Sequence, residues 1–127
     1  SAHGWRLVDP GEVAGTPEAF RQYVQRSRGE LSAAKPAYVK ARAGWISDRT
    51  ICYLASGRPC VVEATGAEAH LPESAGLRFF RTVDEADEAV RAIEGDYPVA
   101  ARAAGDLAEE VFATRVAVPR LLAAAGA

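Results

Sequence analysis

The chain has 127 residues, of which 49% are hydrophobic and 25% charged, a balance typical of one soluble globular domain rather than a disordered or fibrous protein. Its formal net charge is -2 at pH 7, and acids and bases alternate without forming blocks, so nucleic acid is not an expected partner. No apolar run approaches the roughly 20 residues that cross a bilayer, so we expect no membrane span and a cytoplasmic location.

Two residue counts add to these expectations. The chain contains no methionine, so we expect a piece or a processed product of a longer protein, with a partner lobe missing. Its two cysteines, Cys52 and Cys60, lie eight residues apart within apolar segments. That spacing fits neither a metal knuckle nor a disulfide framework, so we expect both to be buried free thiols.

The first elements alternate between strand and helix. Trp5–Val8 is a short apolar run closed by a turn, which predicts a strand. Thr16 is followed by a proline and a glutamate, a pattern that predicts the N-cap of a helix ending before Gly29. Residues 30–34 form a weak strand candidate, and residues 35–42 remain open between a loop and a short helix.

The central elements have sharper signals. Ser47 predicts the N-cap of a helix running to Ser56, with an acid in its first turn and a glycine after its end. Cys60–Glu63 is a continuous apolar run behind a proline, as expected of a strand buried on both faces. Leu77–Phe80 is predicted to be the next strand.

Three helices are predicted to complete the chain. Thr82 and Glu85 form a capping box, Asp96 begins another helix, and residues 118–125 make a last one whose start is uncertain because of Pro119. Strands that alternate with helices in this way predict an α/β fold with a mainly parallel sheet of about four strands flanked by helices. In such sheets, ligands bind outside the carboxyl ends of the strands, often at helix N-termini.

Chemistry is concentrated in the segment from Gly44 to Pro59. Its predicted helix places the backbone donors of residues 47–50, the positive end of a helix dipole and the guanidinium of Arg49 at one rim of the sheet. This combination is typical of an anion site. The alternative is an ordinary N-cap with Arg49 in solvent, because every helix has an N-terminus.

The same segment resembles the signature of the C-terminal domain of glycosyltransferases with two Rossmann domains (the GT-B type), in particular glycosyl transferases group 1. The matching residues are Gly44, Trp45, Ser47, Asp48, Arg49, Tyr53, Leu54, Ala55, Gly57, Arg58, Pro59, Thr65 and Gly66. The likeness continues through Leu71–Pro72, Gly76–Leu77 and residues 80–82, and extends weakly over most of the chain.

The resemblance implies that residues 1–127 form a single, partial Rossmann-like domain that binds a nucleoside-diphosphate sugar. The implied binding residues are Ser47, Asp48, Arg49, Thr50, Thr65 and Gly66. The acceptor site would lie on the missing N-terminal lobe, so we expect the isolated chain to be inactive. Its catalytic residues remain unknown, and we expect no cofactor and no metal.

This sequence departs from the family pattern at two positions. Family members bind the ribose with a glutamate near the middle of the corresponding helix, where this chain has Cys52, and a second acid upstream is replaced by Gly44. The resemblance also implies that the basic residues for the diphosphate precede this segment. Asp48 and Arg49 are the nearby charged groups that could substitute.

These departures keep other hypotheses open. The chain could be a non-catalytic Rossmann-like module for protein association, with a possible homodimer through an exposed sheet edge. A response-regulator-like domain would require Asp9 on the binding rim beside another carboxylate. Trp45 could cover a base or sugar ring or pack against the protein, and Glu63 could accept a sugar hydroxyl or cap a strand.

Two further side-chain types are assigned to the surface. Lys35 and Lys40 are predicted to be solvated amines. His70 lacks a carboxylate or cysteine at ligand spacing, so a surface role is favoured over metal binding.

Overall fold

A computed structural model describes residues 3–126 of the chain. The helices are α1 (Pro10–Ala14), α2 (Pro17–Arg26), α3 (Pro36–Ala41), α4 (Asp48–Ala55), α5 (Val83–Gly95), α6 (Tyr97–Leu107) and α7 (Thr114–Ala124). The strands are β1 (Glu30–Ser32), β2 (Cys60–Glu63) and β3 (Leu77–Phe80). A 3₁₀ turn (Ala67–Ala69) follows β2, and a π-helical segment (Ala108–Phe112) joins α6 to α7.

The three strands form one parallel sheet in the order β1-β2-β3. Cys60 of β2 is paired with Glu30 on one side and with Leu77 on the other. The prediction of an α/β fold with a parallel sheet flanked by helices is confirmed, but the estimate of about four strands is wrong within residues 3–126. The difference is the segment Trp5–Val8, which has no strand structure, and Leu7 is 89% exposed.

The core lies on both faces of β2, because successive side chains of a strand point to opposite faces. On one face, Cys60 and Val62 pack in a cluster with buried residues of α2, α4 and α6, which are Val24, Tyr53, Leu54, Ala104 and Leu107. On the other face, Val61 packs against Ala89, Ile93 and Ala100. The predicted burial of β2 on both faces is therefore confirmed.

Among the described residues, five helices begin at a residue whose side chain caps them, and four of these starts, those of α2, α4, α5 and α6, were predicted. Thr16 accepts a hydrogen bond from the backbone N–H of Ala19, and Thr82 accepts one from Glu85. The caps of α4 and α6 are Ser47 and Asp96. Each cap satisfies a backbone donor that has no partner within its own helix, which is worth about 1 kcal/mol. These predicted helix starts are confirmed.

Other details differ from the sequence-based predictions. Residues 36–41 form a short helix rather than a loop. The last helix, α7, begins at Thr114, before the predicted residue 118, and contains Pro119. Cys60 is buried as predicted, whereas Cys52 lies on the solvent side of α4 and is exposed. Within residues 3–126, every helix is too short or too polar to span a membrane.

Candidate functional site

The N-terminus of α4 lies beside the end of the sheet where the parallel strands finish, which we call the carboxyl edge. A small depression opens there, with a volume of about 10 Å³, close to that of one water molecule. Its lining residues are Ser32, Ala33, Ala34, Trp45, Ile46, Ser47, Thr50, Val62 and Glu63. Residues from β1, β2 and the start of α4 therefore meet at one point, as parallel-sheet topology requires.

Ser47 lines this depression, and Asp48 follows it as the first residue of α4. The Ser47 hydroxyl accepts a hydrogen bond from the Arg49 N–H at 3.3 Å, which occupies one of the donors at the start of α4. The Asp48 side chain is exposed. The positive end of the helix dipole remains at the rim, and Asp48 adds a carboxylate that opposes it.

Arg49 has a different role from the one expected at the rim. Its Nε donates to Oε1 of Glu30 at 2.7 Å, and the Glu30 side chain is only 4% exposed. Glu30 opens β1, so the Arg49 guanidinium is turned away from the carboxyl edge toward the edge where strands begin. A buried carboxylate needs such a partner. Removing the partner of a fully buried ion pair costs about 3–5 kcal/mol, and we expect about 2 kcal/mol here because Arg49 is half-exposed.

Two buried polar atoms lie close to this ion pair. Oε2 of Glu30 and the hydroxyl of Thr50 have no hydrogen-bond partner among the described residues. Thr50 is 1% exposed, and it lines the depression. Unsatisfied buried groups are uncommon in folded proteins and often identify places where a water molecule or ligand atom binds.

Thr65 and Gly66 connect the loop before α4 to the end of β2. The Thr65 carbonyl accepts the Gly44 N–H at 2.9 Å, and its hydroxyl donates to the Trp45 carbonyl at 2.6 Å. Gly66 has a φ of +100°, and a Cβ there would lie 3.0 Å from the Arg42 carbonyl oxygen. Both predicted binding residues are buried, and their observed contacts hold the rim loop in place.

Trp45 stacks on Tyr38 of α3, with ring centroids 4.9 Å apart and an angle of 20° between the rings. Trp45 is still 39% exposed. The sequence pattern singles out Trp45 but not Tyr38. A loop separates α3 from Trp45, and contacts across a loop follow neither helical nor strand periodicity.

The remaining candidates are distributed over several sites. Glu63 lines the depression, and its Oε2 accepts the Ala34 N–H at 2.9 Å. Asp9 accepts a hydrogen bond from Gly11 as the cap of α1, so it does not end a strand as the response-regulator hypothesis requires. His70, Lys35 and Lys40 are exposed.

A separate, open groove of about 830 Å³ lies between β3, α5 and residues 68–75. Four carboxylates line it, from Glu68, Glu73, Glu85 and Glu88, with one cation, Arg78. Since like charges repel, this acidic groove is unsuited to a diphosphate despite its size. The smaller depression at α4 is lined by one carboxylate, Glu63, and by no cation, so the backbone N–H groups and the dipole of α4 are what make it the anion-binding candidate.

Burial and neighbouring charges shift the pKa of two groups near the sheet, Cys60 and Glu68. Burial, and secondarily the neighbouring Glu30 carboxylate, raises the pKa of the Cys60 thiol well above its usual range, so this cysteine stays protonated. Burial acts to raise the pKa of Glu68, but hydrogen bonds including the Gly66 N–H, together with Arg81 and Arg42, lower it on balance. Within residues 3–126, no cluster of three or more histidine, cysteine or acidic side chains could hold a metal ion.

Comparison with known proteins does not add an identity to this geometry. Neither the models of protein families nor the curated proteins nor the solved structures give a significant match to the chain. What stands is an α/β domain with a three-stranded parallel sheet and a candidate anion site at its carboxyl edge.

Proposed function

We propose that this chain is the donor-binding domain of a GT-B-type glycosyltransferase, which holds a nucleoside-diphosphate sugar for transfer to an acceptor hydroxyl. The observation that carries the proposal is the depression at the start of α4, where a capped helix N-terminus, an exposed tryptophan and an unpartnered buried hydroxyl converge. The sequence resemblance of residues 44–82 supports the same assignment independently of the geometry.

In this proposal the diphosphate lies against the first turn of α4. Helix N-termini bind phosphates because their first backbone N–H groups lack intrahelical partners and the helix dipole favours negative charge. Ser47, Asp48 and Thr50 supply these amides. Arg49 contributes indirectly, by keeping α4 attached to β1 through Glu30.

Hydroxyl groups of the ribose or sugar require acceptors. Glu63 uses Oε2 to bind the Ala34 N–H, and its other carboxylate oxygen can accept a hydroxyl. Asp48 is exposed at the rim and can do the same. These two acids would substitute for the family glutamates that this chain replaces with Gly44 and Cys52.

Transfer itself would depend on positioning the donor and stabilising the leaving diphosphate, with the acceptor and its base supplied by a second lobe. The reaction would take place in the cytoplasm. We therefore expect the 127-residue chain to bind nucleotide without transferring sugar.

The test is a titration of the ¹⁵N-labelled chain with UDP and with GDP, followed by two-dimensional NMR. Binding should shift the amide signals of residues 45–50 and of Glu63, while those lining the acidic groove, such as Glu73 and Glu88, stay unchanged. Asp48→Ala is the rim variant, and the exposed Asp87→Ala on α5 is its matched control. Absence of shifts with either nucleotide at millimolar concentration would refute the donor-site proposal.

A second candidate function is protein association, as a module without catalysis. Its support is the free edge of β1, where Leu31 is 52% exposed beside an apolar cavity of about 160 Å³. Exposed strand edges pair readily with other chains. Sedimentation equilibrium should then show a concentration-dependent dimer that Leu31→Lys abolishes, and a monomer at all concentrations would rule out the homodimer.

A further inference from the structure

We propose that the stacked pair of Tyr38 and Trp45 is the platform on which the nucleobase of the bound nucleotide stacks. This inference rests on the proposed function and adds to it a subsite for the base. Three observations carry it: the exposure of Trp45, the way the backbone holds the pair, and the position of Trp45 close to the start of α4.

The first observation is an aromatic surface that the fold does not bury. The rings are nearly parallel at 4.9 Å, and 39% of Trp45 is exposed. Tryptophan is highly buried on average, so a partly exposed indole at the carboxyl edge leaves apolar area available for contact. A planar heteroaromatic base continues such a parallel stack, because every base has a π-face.

The second observation is that the pair is held rigidly from the backbone. Hydrogen bonds from Gly44 to the Thr65 carbonyl and from the Thr65 hydroxyl to Trp45 fix the loop on both sides of the indole. The Ala43 N–H donates to the Tyr38 carbonyl at 3.1 Å, which holds the backbone at the end of α3 against the start of the loop. A platform ordered before binding costs less entropy when a ligand arrives.

Backbone strain is present at the same turn. Arg42 has a φ of +46° and is the one non-glycine residue in the left-handed region within residues 3–126. Such a residue costs of order 1 kcal/mol and persists only where its surroundings enforce it. Here the strained turn ends α3 and directs the following residues, including Trp45, to the carboxyl edge.

The third observation concerns distance and chemistry. Trp45 lies two residues before Ser47, so their Cα atoms are at most about 7 Å apart, and both line the depression. The indole and the α4 N-terminus are therefore close enough along the chain for the base and the phosphates of one nucleotide to contact both. Stacking alone distinguishes bases weakly, so uridine and guanosine diphosphates should both use this platform.

The experiment uses fluorescence, since the chain has two tryptophans, Trp5 and Trp45. In the Trp5→Phe variant of the whole chain, Trp45 is the only indole. UDP and GDP should quench its emission, and pyrophosphate, which has no base, should bind without quenching. A methyl glycoside that quenched as strongly as UDP would overturn base stacking in favour of a sugar platform.

Affinity variants complete the test. Trp45→Ala should weaken UDP binding roughly ten-fold, within the range of single stacking contacts, with unchanged affinity for pyrophosphate. Trp45→Phe should retain most of the UDP affinity because it keeps a π-face, and Trp45→Leu, which has none, replaces the alanine variant if that one does not fold. Trp5→Phe is the matched control and should bind UDP like the unaltered chain.

The two proposals fail in different ways. If UDP and pyrophosphate bind but the folded variant without an aromatic ring at residue 45 keeps its UDP affinity, and UDP does not quench Trp45, the base platform is refuted and the donor site remains. If neither UDP nor pyrophosphate binds, both proposals are refuted.

Discussion

The two edges of the sheet use their polar groups differently. At the amino edge, where strands begin, Arg28 donates two hydrogen bonds to Glu94 at 2.9 and 2.8 Å and lies over the ring of Tyr97. The Tyr97 hydroxyl in turn donates to the Arg28 carbonyl at 2.6 Å. At the carboxyl edge, Asp48 is exposed and Trp45 is half-exposed. The amino-edge side chains thus bond one another, whereas at the carboxyl edge Asp48 and Trp45 stay exposed beside side chains, Thr65 and Glu63, that bond the backbone.

Arg49 shows why sequence position alone misassigns such groups. It belongs to the first turn of α4, at the carboxyl edge, yet it bonds Glu30 at the amino edge. Substitutions at the amino edge should therefore change the free energy of unfolding, and those at the carboxyl edge should change binding.

The largest effect is expected for Gly76→Ala, just before β3. A Cβ at this position would lie 2.2 Å from the backbone nitrogen of Ala104 in α6, so strand and helix would have to separate. We expect a loss of about 3 kcal/mol in the free energy of unfolding, measured by urea denaturation.

Gly105→Ala is the matched control for that substitution. It lies within α6, and a Cβ there meets nothing within 4 Å. Alanine should stabilise the helix by about 0.5–1 kcal/mol. Equal destabilisation by both substitutions would contradict the close packing of residue 76 against α6.

The next largest effect is expected for Arg49→Ala. Removing the guanidinium leaves the buried Glu30 carboxylate without its ionic partner, which should cost about 2 kcal/mol of unfolding free energy. Urea denaturation of the single variants and of the double variant with Glu30→Gln measures the coupling.

Arg91→Ala provides the comparison for this pair. Arg91 also bonds a carboxylate, Asp87, at 2.7 Å, but both side chains are largely exposed. Its loss should cost less than about 0.5 kcal/mol. If Arg49→Ala were equally mild, the Glu30 pair would not stabilise the amino edge.

Alkaline pH should lower the free energy of unfolding through ionisation of Cys60 in the unfolded chain. The folded state raises the pKa of this thiol, so stability is fully present below the unfolded thiol's pKa of about 8.5 and falls as the pH rises above it. The free energy of unfolding should drop by about 1.4 kcal/mol per pH unit above roughly pH 9.

Cys60→Ala should remove this component of the pH dependence in urea denaturation under reducing conditions. Cys52→Ala is the matched control and should leave it intact, since the Cys52 side chain is exposed rather than buried. An unchanged pH dependence in Cys60→Ala would exclude the buried thiol as its source.

The smallest effect on stability is expected for Asp48→Ala at the carboxyl edge. Its side chain is exposed, so the free energy of unfolding should change by less than about 0.5 kcal/mol. Thermal denaturation checks this. A large destabilisation would show that the rim serves the fold, as the amino edge does.

Local sequence patterns were sufficient for much of the secondary structure. Ser47, Thr82 and Asp96 cap helices in the structure, as their side chains predict, because a cap depends on groups only two or three residues away. The strands Cys60–Glu63 and Leu77–Phe80 have their predicted bounds, since buried parallel strands require continuous apolar runs. The predicted strand at residues 5–8 is wrong, because an apolar run also needs a neighbouring strand to pair with.

The sequence by itself therefore determined the parallel α/β layout and the helix start at Ser47. Tertiary structure alone decided the partners of the candidate site: Glu30 for Arg49, Tyr38 for Trp45, and the Trp45 carbonyl for the Thr65 hydroxyl. These contacts join residues 7–20 positions apart across loops and strands. No periodicity encodes them, and only the tertiary structure brings them together.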